Sequence, residues 1–169
     1  MRTLLIVGAA VVAVAIGVLV GALAASGGSS ASSASEAQMR RNSDLWEIDQ
    51  LEKRFHRATT RHDLDLMMSL YAPNATFTFP GTTAVGKQEI AAFWRVSKSF
   101  TSNWISETPA YKVRITLNGD RGTLYFECHY VDGKTGEMAA VTAADVEVGR
   151  IGGRWLITSI GGASATLSA

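Results

Sequence analysis

Residues 55–94, FHRATTRHDLDLMMSLYAPNATFTFPGTTAVGKQEIAAFW, change hydrophobic period twice in quick succession, and few folds accommodate both changes. Asp63, in His62-Asp63-Leu64-Asp65, can accept hydrogen bonds from the free amides of a short helix. The apolar face of that helix would carry Leu64, Met67, Met68 and Tyr71, with Pro73-Asn74 ending it. Ala75, Phe77 and Phe79 then alternate with Thr76 and Thr78, the pattern of a strand with one buried face, and Pro80-Gly81 closes it. Gly86 precedes a third helix, with Glu89 in its first turn and Ile90, Phe93, Trp94 and Ser97 on one side.

The flanking segments complete the element order. A first helix is predicted from Asn42–Asp44, where Asp44 and Glu47 can form a reciprocal cap. Leu45, Ile48, Phe55 and Ala58 or Thr59 give its inward stripe, with Leu51 beside it, and Glu47, Lys53, Arg54 and Arg57 fall mostly on the solvated side. After the third helix, Tyr111, Val113, Ile115 and Leu117 alternate with polar residues up to the hairpin dipeptide Asn118-Gly119. A second run, 121–131, puts Leu124, Phe126, Cys128 and Tyr130 on one face and Thr123, Tyr125, Glu127, His129 and Val131 on the other. Runs 138–151 and 154–160 follow, joined by Gly152-Gly153, and residues 163–169 form a tail without signal.

This order resembles the SnoaL-like branch of the nuclear transport factor 2-like superfamily. The residues that carry the resemblance are Asp63-Leu64-Asp65, Tyr71 six residues on, then Ala75, Phe77, Phe79, Gly86 and Ile90, within a domain of 44–162. The resemblance implies an α+β fold: a cone-shaped α+β barrel in which three N-terminal helices pack on a curved antiparallel sheet and enclose a pocket. Members of the superfamily include ketosteroid isomerase, polyketide cyclases, dehydratases, epoxide hydrolases and non-catalytic binders, so the fold alone does not choose a function.

In such a cone Phe55, Tyr71, Phe77, Phe79, Trp94, Trp104 and Phe126 would line a pocket for a flat apolar ligand, unless they simply fill the core. Laid without gaps on the ketosteroid isomerase pattern, the oxyanion tyrosine falls at Phe55 and the general base at Phe79, neither able to transfer a proton. The pattern's protonated acid falls at Asp145. Binary patterning puts Val146 and Val148 inward and Asp145 and Glu147 outward, whereas the resemblance puts Asp145 in the pocket, where desolvation would raise its pKa. The expectation that follows the resemblance is a pocket acid at Asp145. His129, Tyr71 and Glu127 are the remaining acid–base candidates, and a lyase, isomerase or cyclase would draw on Asp145 with His129 or Tyr71.

Other chemistries find no support. There is no nucleophile elbow, phosphate-cradling glycine loop or Cys-x-x-Cys motif, and His56, His62 and His129 lack metal-ligand spacing, so surface or capping roles are expected and neither metal nor cofactor. With Arg2 set aside, basic and acidic residues balance at 15 each, which argues against a nucleic-acid surface. The lone Cys128 reads as a small core residue, and Asn74-Ala75-Thr76 matches a glycosylation acceptor in a turn that favours Asn anyway.

Residues 4–25 carry no charge, and as a helix they would reach about 33 Å, enough to span a bilayer core of about 30 Å. A single N-terminal hydrophobic helix, residues 1–25, is therefore expected as an uncleaved membrane anchor, with Arg2 holding its start in the cytoplasm and the domain outside. The alternative is a secreted protein cleaved near Ala22-Leu23-Ala24. Ala9, Ala13, Gly17, Gly21 and Ala25 make one side small enough for helix pairing, a spacing that Ala- and Gly-rich segments also produce by chance. Residues 26–43 read as a Ser/Gly-rich flexible linker. The expected function is thus a membrane-anchored extracytoplasmic domain binding a small apolar, polyketide- or steroid-like molecule, with catalysis open. A non-catalytic interaction module of a membrane complex is the further alternative, and a homodimer through the outer sheet face is expected.

Overall fold

The computed structural model describes residues 24–167, with side chains from residue 32 to 161 except Tyr111. The hydrophobic segment expected to span a membrane lies almost entirely outside the described residues. Among the described residues no helix is long and apolar enough to cross a membrane.

Helix α1 runs Ala24–Arg61, followed by α2 (Leu64–Ser69), β1 (Tyr71–Phe79), β2 (Thr82–Val85), α3 (Gly86–Val96), α4 (Lys98–Thr101) and β3 (Trp104–Glu107). A 3-10 turn (Ala110–Lys112) leads into the meander β4 (Arg114–Asn118), β5 (Arg121–Asp132), β6 (Met138–Ile151) and β7 (Arg154–Leu167). Contacts divide the chain between Met39 and Arg40, and residues from Arg40 onward form one compact unit. Helix α1 therefore starts well before the Asn42–Asp44 start that its cap signals suggest, and the stretch expected as a flexible linker is helical from its first residue. Extending an existing helix adds one hydrogen bond per residue without a new nucleation cost, which here runs against the low helix propensity of Gly27, Gly28 and the serines.

The end of α1 is set locally. His62 takes the left-handed conformation at φ 53°, its N–H donates to Thr59 O at 3.1 Å and Asp63 N–H to Ala58 O at 2.9 Å, the paired bonds that close a helix. Asp63 then caps α2, accepting from Leu66 N–H at 2.9 Å. Glu89 reaches back to accept from Val85 N–H at 2.8 Å, fixing the start of α3.

Among the described residues seven strands form one sheet in the order β2-β1-β7-β6-β5-β3, with β4 also on β5. The sheet is mixed rather than wholly antiparallel, because β1 joins β7 in parallel, with Phe77 opposite Ile160. Alternation along a strand fixes which face is buried but not the strand's direction, so the pattern could not have shown this. Tyr71 opens β1 instead of closing α2, since Pro73 and a bulge between Tyr71 and Thr76 are absorbed by the strand. β7 runs past the predicted end, pairing as far as Ala140 opposite Leu167, so residues 163–167 are strand and not tail. The helices cover the inner face of the sheet, where Ile48, Leu51, Met67, Ile90, Leu124, Val146, Val148 and Ile157 are buried.

Candidate functional site

Residues on the inner face of the sheet do not fill the space beneath the helices. A cavity of about 380 Å³ remains, within the size range of small-molecule sites. One wall is aromatic: Phe55 from α1, Phe77 and Phe79 from β1, and Phe93 and Trp94 from α3. Phe55 meets Trp94 at 5.4 Å and Phe126 at 5.2 Å edge-on, Phe77 meets Phe93 at 4.6 Å tilted, and Phe77 and Phe79 lie near parallel at 6.3 Å. Such contacts hold the rings apart and keep the wall open. The opposite wall is the inner face of β5 and β6, where Ala140, Thr142 and Ala144 stand opposite Tyr130, Cys128 and Phe126. Small side chains on β6 opposite large ones on β5 leave the room.

The far end is polar. Ser97, Lys98 and Ser99 at the junction of α3 and α4 meet Trp104, Tyr130 and Thr142 there, and Trp104 packs on Tyr130 at 5.5 Å. Burial pushes the Tyr130 phenol well above its ordinary pKa and the neighbouring Cys128 adds to it, while the Thr142 and Ser99 hydroxyls pull the other way. Tyr130 therefore stays a proton-bearing donor. Burial likewise pushes the Cys128 thiol up to about 12, against hydrogen bonding from Tyr130, Thr142 and Ser106. The described walls hold no carboxylate and no imidazole.

Six of the eight predicted ligand-contacting residues, Phe55, Phe77, Phe79, Trp94, Trp104 and Phe126, line this cavity. Tyr71 and Asp145 do not. Tyr71 is fully buried behind the wall, and burial pushes its pKa up although the Trp94 indole N–H beside it favours the phenolate. Neither of these two polar groups closes a hydrogen bond of regular geometry. Asp145 is exposed on the outer face of β6, opposite Tyr125, and the inward position at that level is Ala144. The expectation of a pocket acid at Asp145 is thus corrected in favour of the simple binary pattern.

His129 is also on the outer face, in a cluster centred on Glu127. The Glu127 carboxylate accepts from Lys112 Nζ at 2.9 Å and Tyr125 Oη at 2.8 Å, with His129 Nε2 3.1 Å away. These bonds, that of Lys112 foremost, hold Glu127 down at about 2 and leave it a weak base. Arg114 lies over the Tyr125 ring at 3.8 Å. Asp145, His129 and Tyr71 therefore do not meet in one site, and an acid–base mechanism built on them has no geometry.

The residues missed by sequence reasoning are Tyr130, Ser99 and Thr142 in the cavity and a buried pair beside it. Glu52 and His56, one turn apart on α1, are both buried, although His56 was expected at the surface or in a cap. His56 Nδ1 lies 2.7 Å from Ser106 Oγ, and its Nε2 meets Glu52 and the Thr108 hydroxyl. The rings of Phe55 and Phe126, which line the cavity, pack on His56. Their helical spacing beside Ile48 and Phe55 was the available signal. Among the described residues no group of acidic, histidine and cysteine side chains could hold a metal.

Comparison with known proteins agrees with this architecture. The SnoaL-like domain family matches residues 53–153. No curated protein matches the chain. A structure of an NTF2-like protein with a cystatin-like fold from Novosphingobium aromaticivorans is similar at TM-score 0.66 and 19% identity, covering 78% of this chain and 86% of that one. A protein of unknown function with a cystatin-like fold from Nostoc punctiforme is similar at TM-score 0.63 and 19% identity, over 69% of this chain and 87% of that one. A protein provisionally named a dehydratase of the NTF2-like family, from Streptomyces avermitilis, is similar at TM-score 0.60 and 15% identity, over 76% and 99%. At these identities the likeness concerns the fold.

Proposed function

The chain belongs to the SnoaL-like domain family, and from that premise we propose that it binds a small, flat, apolar molecule of polyketide or steroid type in its aromatic cavity. The observation that carries this reading is the asymmetry of the cavity, aromatic along one wall and hydroxyl-rich at one end. A ring system would lie between Phe55, Phe77, Phe93 and Phe126, and a carbonyl or hydroxyl at its end would accept from Tyr130 or Ser99. Burying a polar ligand atom is costly unless it finds such a partner, so the polar end sets orientation while the rings supply most of the affinity. Lys98, exposed at the edge, favours ligands with acidic character at that end. The described walls contain no carboxylate and no imidazole, and burial keeps Tyr130 and Cys128 in their protonated forms, which supports binding or carriage over proton-transfer catalysis.

The same reading includes the N-terminal anchor. Residues 4–25 are uncharged and long enough to span a bilayer, which supports a domain tethered outside the cytoplasm. Ile105, exposed on the outer face of β3, supports pairing of two copies through that face. Retention of the full-length protein in membranes after a carbonate wash tests the first, and sedimentation at tens of micromolar the second.

The binding reading is tested with full-length protein in nonionic detergent, titrated with a tetracyclic steroid ketone while Trp94 and Trp104 fluorescence is followed. Saturable quenching is expected, and Ala144→Phe, which fills the cavity from β6, should weaken it by about tenfold or more through lost volume. Equal affinity in that variant, or no ligand among steroid and polyketide classes in mass spectra of the purified protein, would remove the reading.

A further inference from the structure

A second cleft, of about 290 Å³, opens between α1 and the start of β7, with walls distinct from those of the aromatic cavity. Its helix side is Trp46, Glu47, Gln50 and Arg54, and its strand side Arg154 and Trp155. Arg54 is half-buried, and its Nε donates to Gln50 O at 3.1 Å, which fixes the guanidinium plane. Arg154 follows the Gly152-Gly153 turn, whose residues have φ of 57° and 77° and hold its backbone in a set direction. Among the described residues neither guanidinium is ion-paired with a carboxylate. Arg150, by contrast, one hairpin away, is claimed by Asp44 and Asp120.

Two cations facing each other across a cleft repel. Burial, then repulsion from Arg154 and Arg57, holds the Arg54 pKa below the ordinary arginine value, and Glu47 opposes them only in part. An anion between the two forks would turn that repulsion into attraction. Guanidinium forks match the paired oxygens of a phosphate group in two-bond geometry, which a single lysine charge does not. Trp46, 63% exposed at the lip, adds a flat apolar surface beside the charges. An isolated inorganic ion has no use for that ring, whereas the carbon part of an ester does.

We propose that the cleft between α1 and β7 is a binding site for an esterified phosphate, held by Arg54 and Arg154 with its carbon moiety against Trp46. Glu47 disfavours doubly charged anions there, so a phosphodiester fits better than free phosphate. Two sources share this chemistry: a soluble phosphate ester and the headgroup of an anionic phospholipid. The site does not depend on the ligand proposed for the cavity.

The test uses full-length protein in nonionic detergent at ionic strength fixed with sodium chloride, following tryptophan fluorescence. One series is titrated with glycerol 3-phosphate and methyl phosphodiesters, another with micelles doped with phosphatidylglycerol. A saturable response to at least one series is expected. A response to the first alone identifies a soluble ester, and to the second alone a headgroup. Arg54→Ala and Arg154→Ala should each weaken it by about tenfold, and Glu47→Gln should tighten it. Circular dichroism spectra and thermal midpoints of the same variants, expected to be unchanged, show that they remain folded. No saturable response in either series overturns the proposal, as does a response that survives both arginine replacements or that chloride reproduces.

Discussion

Oε1 of Glu52 lies 3.0 Å from Nε2 of His56, one helical turn further along α1, and both side chains are buried against β3 and β5. Thr60 ties the same region, its hydroxyl accepting from Ser106 N–H at 2.9 Å. Removing one member leaves the other buried without its partner, so Glu52→Ala should cost about 3–5 kcal/mol in chemical denaturation. The double replacement Glu52→Leu/His56→Met, which needs no partner, should recover part of that loss. A single-variant cost under about 1 kcal/mol would show that water already reaches the pair.

Glu127 gives the protein an acid-sensitive joint. Its folded pKa of about 2 lies below the ordinary 4.5, so the stability it contributes is fully present above 4.5 and is lost as pH falls toward 2. Thermal midpoints measured across that window should fall more steeply for the native chain than for Glu127→Gln. Parallel curves for the two proteins would assign the acid response to other carboxylates.

Cys128 supplies a reporter for the cavity. With its thiol near 12, the reactive thiolate is scarce at neutral pH, so methylthiolation should be slow and should quicken with each unit of pH without levelling off below about pH 10. A cavity ligand should protect it. A rate that levels off near the ordinary thiol pKa would mean that the cavity is wet and open.

Asp145 offers the complementary control. Because its carboxylate is on the outer face, Asp145→Leu should leave steroid affinity unchanged within about twofold, whereas Tyr130→Phe should weaken binding by about 1 kcal/mol through the lost donor. Loss of binding in the Leu variant with Tyr130→Phe unaffected would reverse the assignment of the polar end.

The aromatic wall is legible in the sequence because Phe77 and Phe79 on a period of two and Phe93 and Trp94 on a helical face must converge if helices cover one side of a sheet. The inward face of β5, from Leu124 to Tyr130, follows from alternation in the same way. Asp145 misleads because the ungapped alignment conflicts with the period of two, which β6 keeps unbroken from Ala140 to Val148 with Asp145 and Glu147 outward; the register shifts against β7 add their extra residues on β7. The Glu52–His56 pair shows in the sequence only as a spacing of four on a helix, a spacing that solvated helix charges share. The parallel partnership of β1 and β7, and the short strands β2 and β3, depend on tertiary pairing that periodicity does not carry.

The Thr76 hydroxyl donates to that of Ser159 at 3.0 Å across 83 positions of chain, where β1 lies beside β7. On the ribosome, α1, α2, the β1–β2 hairpin and α3 emerge long before β7 exists. Until then one edge of β1 stays open with its backbone groups unpaired, an invitation to pair with a neighbouring nascent chain. Synthesis order and assembly order are thus at odds: the first strand made is among the last to be completed, and a chain released early would lack the one strand that joins β1 and β2 to the rest of the sheet.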